Sequence, residues 1–299
     1  MQQATGPVLF LVDEDREALR ELQRALERGL SAAADPRSES PPPSVKAPAR
    51  SSRHIATWRN SQSRGSPSPR ARFWWEAAVN CTEFVLSATG LTPVPFVDEI
   101  SLYLAADIYE TWHGTELQAG QSELAPPFWA FAWPGGQALA RYVLDHPALV
   151  SGRSVLDVGC GSGLVAIAAA KAGASAVTAS DTDPFARTAA RLNALANQVT
   201  VSLVPDVLNS THEADVVLAG DVWYERDLSD LVMTFLDRAA AAGSEVLAGD
   251  IGRRYFPRHR FHPAASYEVP VSRALESTEI MRASVWIRQP DDRKSRHEL

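Results

Sequence analysis

The sequence predicts a doubly wound α/β fold: an open, mostly parallel sheet with helices on both faces, closed at its C-terminal edge by an antiparallel hairpin and preceded by N-terminal helices. Three observations carry this. Short apolar runs alternate with amphipathic stretches from Phe73 onward, the pattern of strand–helix repeats in a sheet buried on both faces. One such run ends in a glycine-rich turn directly before a helical stretch, at residues 154–163. The last two runs, 266–272 and 281–288, have no long helix between them, which makes them adjacent antiparallel strands.

The chain before Phe73 reads differently. Residues 1–30 hold a short apolar strand, Val8 to Val12, then a helical stretch with Leu19, Leu22, Leu26 and Leu30 at spacings of three and four, one face of a 3.6-residue period. Asp13, Glu14 and Asp15 lie between them. This resembles the opening strand and helix of a response-regulator receiver domain, where acids at that place hold Mg²⁺. No later strand with a phosphoacceptor aspartate and no switch threonine and lysine follow, so 1–30 is read as a receiver-like remnant. Residues 31–72 are rich in Pro, Ser and Arg, with eight basic against two acidic residues. Such a composition cannot bury enough apolar surface to offset its ordering entropy, which predicts a disordered linker. The informative domain is then 73–289, followed by a flexible tail at 290–299.

Within that domain, Phe73–Thr89 and Val97–Thr111 are read as helices, the second with Ile100, Leu104 and Ile108 on one face. An aromatic, proline-rich segment, Pro126–Gly136, leads into a helix from Gln137 to Leu144. Strands are placed at 153–158, 175–180, 199–204, 214–220 and 244–249, ahead of the closing pair. Helices fall between most of them, at Gly163–Ala172, Pro184–Asn197 and Asp227–Ala241.

The 299 residues are 45% hydrophobic and 22% charged, ordinary for a soluble globular protein with room for a buried core. A net charge of −7 argues against general affinity for nucleic acid or an anionic membrane. No stretch approaches the ~20 apolar residues of a membrane span, and Pro7–Val12 is too short and too poorly flanked for a signal peptide. Cys81 and Cys160 match no disulfide or metal-ligand spacing. Together these features predict a metal-free monomer of a reducing, cytoplasmic compartment.

The chemistry concentrates at the ends of the strands. Ser154-Val-Leu-Asp-Val-Gly-Cys-Gly-Ser-Gly163 places Gly159, Gly161 and Gly163 between a strand and a helix, where the turn needs unusual dihedrals and the backbone must approach a ligand closely. The dinucleotide fingerprint G-x-G-x-x-G fails, because its third glycine would fall on Leu164. The second strand ends Ser180-Asp-Thr-Asp-Pro184. A carboxylate just past that strand can accept both ribose hydroxyls of an adenosine ligand, which makes Asp181 the ribose candidate. Asp183, directly before Pro184, is better read as a helix N-cap with proline at N1. Past the third strand, Asp206 is offered to an adenine amino group. The fourth strand runs out into Gly220-Asp-Val-Trp-Tyr224, so Asp221 and Tyr224 sit at the crevice where open α/β sheets bind ligands. The run Pro126-Pro-Phe-Trp-Ala-Phe-Ala-Trp-Pro-Gly-Gly136 would by itself read as aromatic packing, but its place before the glycine turn also suits a lid over a bound cofactor.

Asp157 followed by three alternating glycines resembles motif I of the methyltransferases that use S-adenosyl-L-methionine. Taken with Asp221-Val-Trp-Tyr224 and the upstream Trp-Pro-Gly-Gly, the chain resembles the seven-strand protein-lysine methyltransferases. Within that group it is similar to the electron-transfer-flavoprotein β-subunit lysine methyltransferase family, including bacterial members, from about Thr89 to Arg288. Val94-Pro-Phe-Val-Asp-Glu-Ile-Ser-Leu-Tyr-Leu-Ala105 and Gly249-Asp-Ile-Gly-Arg-Arg-Tyr-Phe-Pro257 add to the likeness. The chain departs from the family in its first 72 residues and at Ile251, where a proline is usual.

The resemblance implies a Rossmann-like seven-stranded sheet and transfer of methyl groups from S-adenosyl-L-methionine to lysines of a protein substrate, the flavoprotein β subunit. It assigns Trp133, Asp157, Gly159, Gly161, Gly163, Asp181 and Asp206 to the cofactor, and Asp221 and Tyr224 to the acceptor amine. A lysine with a pKa near ~10.4 must lose its proton before attack, at a cost of about 4–5 kcal/mol at neutral pH. An ionised Asp221 favours the ammonium, so its expected task is alignment of the nitrogen. Other readings on the same fold are a methyltransferase acting on a ribosomal protein L11-like substrate or a small molecule, and a non-catalytic binding module for the same cofactor.

Overall fold

The computed structural model describes residues 81–120, 124–210, 213–271 and 278–288, all in the unit Asn80–Leu299. The receiver-like stretch, the linker, the start of the helix expected from Phe73 and the tail at 290–299 lie outside the described residues.

The first described element is helix α1 (Cys81–Ala88). Strands β1 (Gly90–Val94) and β2 (Val97–Leu104) follow as an antiparallel hairpin, and then helix α2 (Ile108–Ala119). The hairpin corrects the expected helix at Val97–Thr111. The four-residue spacing of Ile100, Leu104 and Ile108 suited a helix, but the buried positions from Ile100 include Leu102, and Pro95 sits in the tight turn that joins β1 to β2. The helix starts instead at Asp107, whose carboxylate caps the amides of Tyr109 and Glu110.

Helix α3 (Pro134–Asp145) opens with proline at its first turn, three residues earlier than expected. The remaining elements are β3 (Ser154–Val158), α4 (Leu164–Lys171), β4 (Ala176–Ser180), α5 (Pro184–Ala196), β5 (Ser202–Val204), β6 (Val216–Gly220), α6 (Arg226–Ala242), β7 (Glu245–Asp250), β8 (Phe261–Pro270) and β9 (Ile280–Arg288). The seven strands from β3 onward form one sheet in the order β5-β4-β3-β6-β7-β9-β8. Pairing is parallel from β5 to β7 and antiparallel across β7-β9-β8, the doubly wound sheet with an edge hairpin.

Alternate residues of the central strands feed two cores, because successive side chains of a strand point to opposite faces. Val155, Leu218 and Leu247 pack with Leu139 of α3 and Val165 of α4. Leu156, Val217 and Val246 pack on the other face with Val232, Phe235 and Leu236 of α6. The β1–β2 hairpin lies over α3, α4 and α5 through Val97, Ile100 and Leu102. The chain steps outward from β3 to β5, then returns to place β6 beside β3. Beyond the carboxyl ends of those two strands the loops diverge, which opens a crevice.

Candidate functional site

The crevice is a cleft of about 260 Å³, near the lower bound of ~300 Å³ for small-molecule sites. One wall is the turn after β3. Gly159 and Gly163 have φ of +67° and +80°, in the left-handed region that favours glycine. A methyl group at Gly163 would lie 2.9 Å from Cβ of Ala190 on α5, and one at Gly159 would lie 2.7 Å from Val222. The glycines therefore let the turn nest between two neighbouring elements. Asp157 is buried behind the turn and accepts the Ala166 N–H at 3.0 Å, at the start of α4.

Asp181 leaves the end of β4 and faces this turn. Its Oδ2 accepts the Gly161 N–H at 2.9 Å and its Oδ1 the Asp183 N–H at 2.9 Å. Each oxygen retains a second lone pair, which suits it to a pair of ligand hydroxyls. Asp183 caps α5 by accepting the Phe185 N–H at 2.8 Å. Asp206 lies at the rim, where its Oδ1 accepts the Leu208 N–H at 2.8 Å and closes a turn.

The opposite wall is aromatic. Phe128 and Trp133 come from the proline-rich segment before α3, and the Trp133 indole N–H donates to the Phe128 carbonyl at 2.8 Å. The Tyr224 ring lies 5.0 Å from that of Phe128 and is 47% exposed, so it stands at the mouth. Withdrawal of its hydroxyl from water, and after that the charges of Asp181 and Glu225, push its pKa up to about 12.

Asp221 is buried and lines the same cleft as Tyr224. Its Oδ2 accepts the Gly136 N–H at 2.5 Å, and its Oδ1 is ion-paired with Arg253. Arg253 also donates to Asp250 at 3.0 Å. Sequence reasoning gave no role to Arg253 or Asp250. They stand 32 and 29 positions beyond Asp221, and only the parallel pairing of β6 with β7 brings them to it.

Five aspartates thus line one pocket: Asp157, Asp181, Asp183, Asp206 and Asp221. Burial pushes Asp157 and Asp183 each up to about 7 and raises Asp181 and Asp221 as well. Carboxylates gathered away from water cost free energy unless opposite charge joins them. The donor set therefore fits an organic cation that also carries vicinal hydroxyls and a flat ring. A nucleoside with a sulfonium and an ammonium group has these parts.

Comparison with known proteins agrees with this chemistry. The family model described as ribosomal protein L11 methyltransferase (PrmA) matches residues 138–252. The electron transfer flavoprotein beta subunit lysine methyltransferase of Xenopus laevis is 38% identical over 218 residues, covering 69% of this chain and 86% of the relative. The human protein of the same description is 37% identical over 217 residues, covering 69% and 79%. A ribosomal protein L11 methyltransferase from Laribacter hongkongensis is 38% identical over 146 residues, which is 48% of each chain.

Proposed function

The chain belongs to the electron transfer flavoprotein beta subunit lysine methyltransferase family, and from that premise we propose that it methylates lysine side chains of an electron transfer flavoprotein β subunit. It is an S-adenosyl-L-methionine-dependent methyltransferase. When bound, that cofactor supplies a methyl on a sulfonium, which passes to the nitrogen lone pair as the carbon–sulfur bonding pair stays with sulfur.

The observation that carries the reading is a juxtaposition. The glycine turn and Asp181, suited to the adenosine end of the cofactor, share one pocket with Asp221 and Tyr224 at its mouth. The chain's own residues do four things there. Gly161 and Asp181 fix the turn, Asp157 and its neighbours supply negative charge for a cation, the Phe128–Trp133 wall excludes water, and Tyr224 with Asp221 aligns the amine. Holding reacting atoms in line is worth far more than their simple encounter. The lysine proton passes to water as the side chain enters.

A second reading, methylation of a ribosomal protein L11-like substrate, is favoured by the family match at 138–252. That match begins after the aromatic segment 126–136 and ends before Arg253. It therefore covers the cofactor half together with Asp221 and Tyr224, but neither the aromatic wall nor Arg253. Labelled S-adenosyl-L-methionine added with the protein to a lysate separates the two. Label on a lysine of the flavoprotein β subunit is expected, and label on L11 alone would replace this reading by the second.

A further inference from the structure

Arg253 is the cation in the pocket lining among the described residues. It lies between two aspartates that the sheet sets side by side. Gly220 of β6 pairs with Gly249 of β7, so Asp221 and Asp250 leave the sheet together. Asp250 is fully buried and winds the following turn around itself, accepting the N–H groups of Gly252 at 2.5 Å and Arg253 at 2.7 Å. Asp221 has φ of +59°, a left-handed conformation that a non-glycine residue keeps only where its surroundings hold it. Its N–H donates to the Gly249 carbonyl at 2.9 Å, and its carboxylate is held by Gly136 and Arg253. The carboxylate is thus fixed in direction and paired in charge, next to the mouth where Tyr224 stands.

We propose that Arg253 is a positioning residue of the acceptor site: it aims the Asp221 carboxylate and offsets its charge toward a lysine amine entering beside Tyr224, so that the amine is held neutral and nucleophilic. The inference rests on the lysine reading. A bare carboxylate within 4–6 Å of a titrating cation raises the cation's pKa by about 1–3 units, and each unit lowers the neutral fraction about tenfold. Of the other charged groups around the mouth, Asp250 from β7, Asp157 from β3, Asp181 and Asp183 from the loop before α5 and Glu225 beside Tyr224 are acidic, and Arg187 of α5, which donates to the Asp181 carbonyl at 2.7 Å, is basic. Arg187 acts on Asp181 and Asp183, whereas the cation paired with Asp221 is Arg253. With it, each Asp221 oxygen still has a lone pair to accept an amine N–H.

The test uses the full chain and a purified flavoprotein β subunit, with single-turnover rates across pH. The variants are Arg253→Gln, Arg253→Lys, Asp221→Asn and the Asp221→Asn/Arg253→Gln double variant. Arg253→Gln is expected to slow transfer about 10²-fold and to move the half-maximal pH upward by roughly one unit or more. Arg253→Lys keeps the charge and loses the fork, so it recovers the half-maximal pH and part of the rate. In the Asp221→Asn background, Arg253→Gln costs little further, because the pair acts as one unit. An unchanged half-maximal pH, or losses that multiply, overturns the proposal. If Arg253→Gln does not fold, the lysine variant and the double variant decide. A second readout needs no substrate: ¹³C NMR of labelled aspartate carboxyls in the ligand-free protein. The Asp221 titration midpoint should rise in Arg253→Gln and stay in place in Arg253→Lys. A wild-type chain that methylates no lysine would refute the lysine reading, while equal midpoints would refute the pairing by itself.

Discussion

The backbone N–H of Tyr103 donates to Oδ1 of Asn193 at 2.7 Å, which ties the β1–β2 hairpin to α5. The same side chain donates through Nδ2 to the Ser162 carbonyl at 2.8 Å, inside the glycine turn. Asn193 is wholly buried, so both partners depend on it. Asn193→Ala leaves a buried N–H and a buried C=O unpaired, at about 1–3 kcal/mol each. Chemical denaturation is expected to show a loss in that range, with weaker S-adenosyl-L-methionine binding as the turn loosens. A variant as stable as wild type would show that the bridge carries no weight.

Asp157 predicts a pH dependence with a definite sign. Burial above all pushes its pKa up to about 7, and Asp183 shares that window. A carboxyl raised in the folded state keeps a proton there that the unfolded chain has released. Its contribution to stability is full below the unfolded value and is lost as pH rises through about 7. Ligand-free wild type should therefore lose melting temperature relative to Asp157→Asn as pH increases from about 5 to about 8. Affinity for S-adenosyl-L-methionine, whose net charge is positive, should increase over the same window in wild type and change less in the variant. Parallel curves for the two proteins would rule out Asp157 as the titrating group.

The strand-end signals were legible because they are local. The glycine turn, the Asp183 cap and the strand at 153–158 need only a few adjacent residues, and the structure places all three at their expected positions within a residue. The hairpin at Gly90–Leu104 was not legible, because Ile100, Leu104 and Ile108 satisfy a helical period as well as a strand would. The Arg253 pairing was beyond reach for another reason. Its partners Asp221 and Asp250 stand at the carboxyl ends of two parallel strands, and sequence spacing does not encode which strands become neighbours.

Asp181 carries the ribose assignment. Asp181→Ala removes two charge-assisted acceptors, each worth about 1.5–3 kcal/mol, and frees the Gly161 N–H that it holds. Isothermal titration is expected to give at least a tenfold loss of S-adenosyl-L-methionine affinity in a folded variant. Unchanged affinity would move the ribose site elsewhere.

Tyr224 should behave differently, since its ring stands at the mouth and packs on Phe128. Tyr224→Phe keeps that packing and deletes only the hydroxyl. Single-turnover transfer is expected to slow by about 10²-fold, as for a misaligned reacting group, with S-adenosyl-L-methionine affinity and melting temperature nearly unchanged. A fall in all three together would make Tyr224 part of the scaffold.

Site-resolved mass spectrometry shows whether this pocket delivers methyl groups to lysine. Purified chain, S-adenosyl-L-methionine and a purified electron transfer flavoprotein β subunit are incubated, and the digested subunit is mapped. Methyl increments are expected on lysine side chains of that subunit, present with wild type and strongly reduced with Tyr224→Phe. An unmodified subunit, in a reaction where the protein binds S-adenosyl-L-methionine and methylates a different substrate, would contradict it.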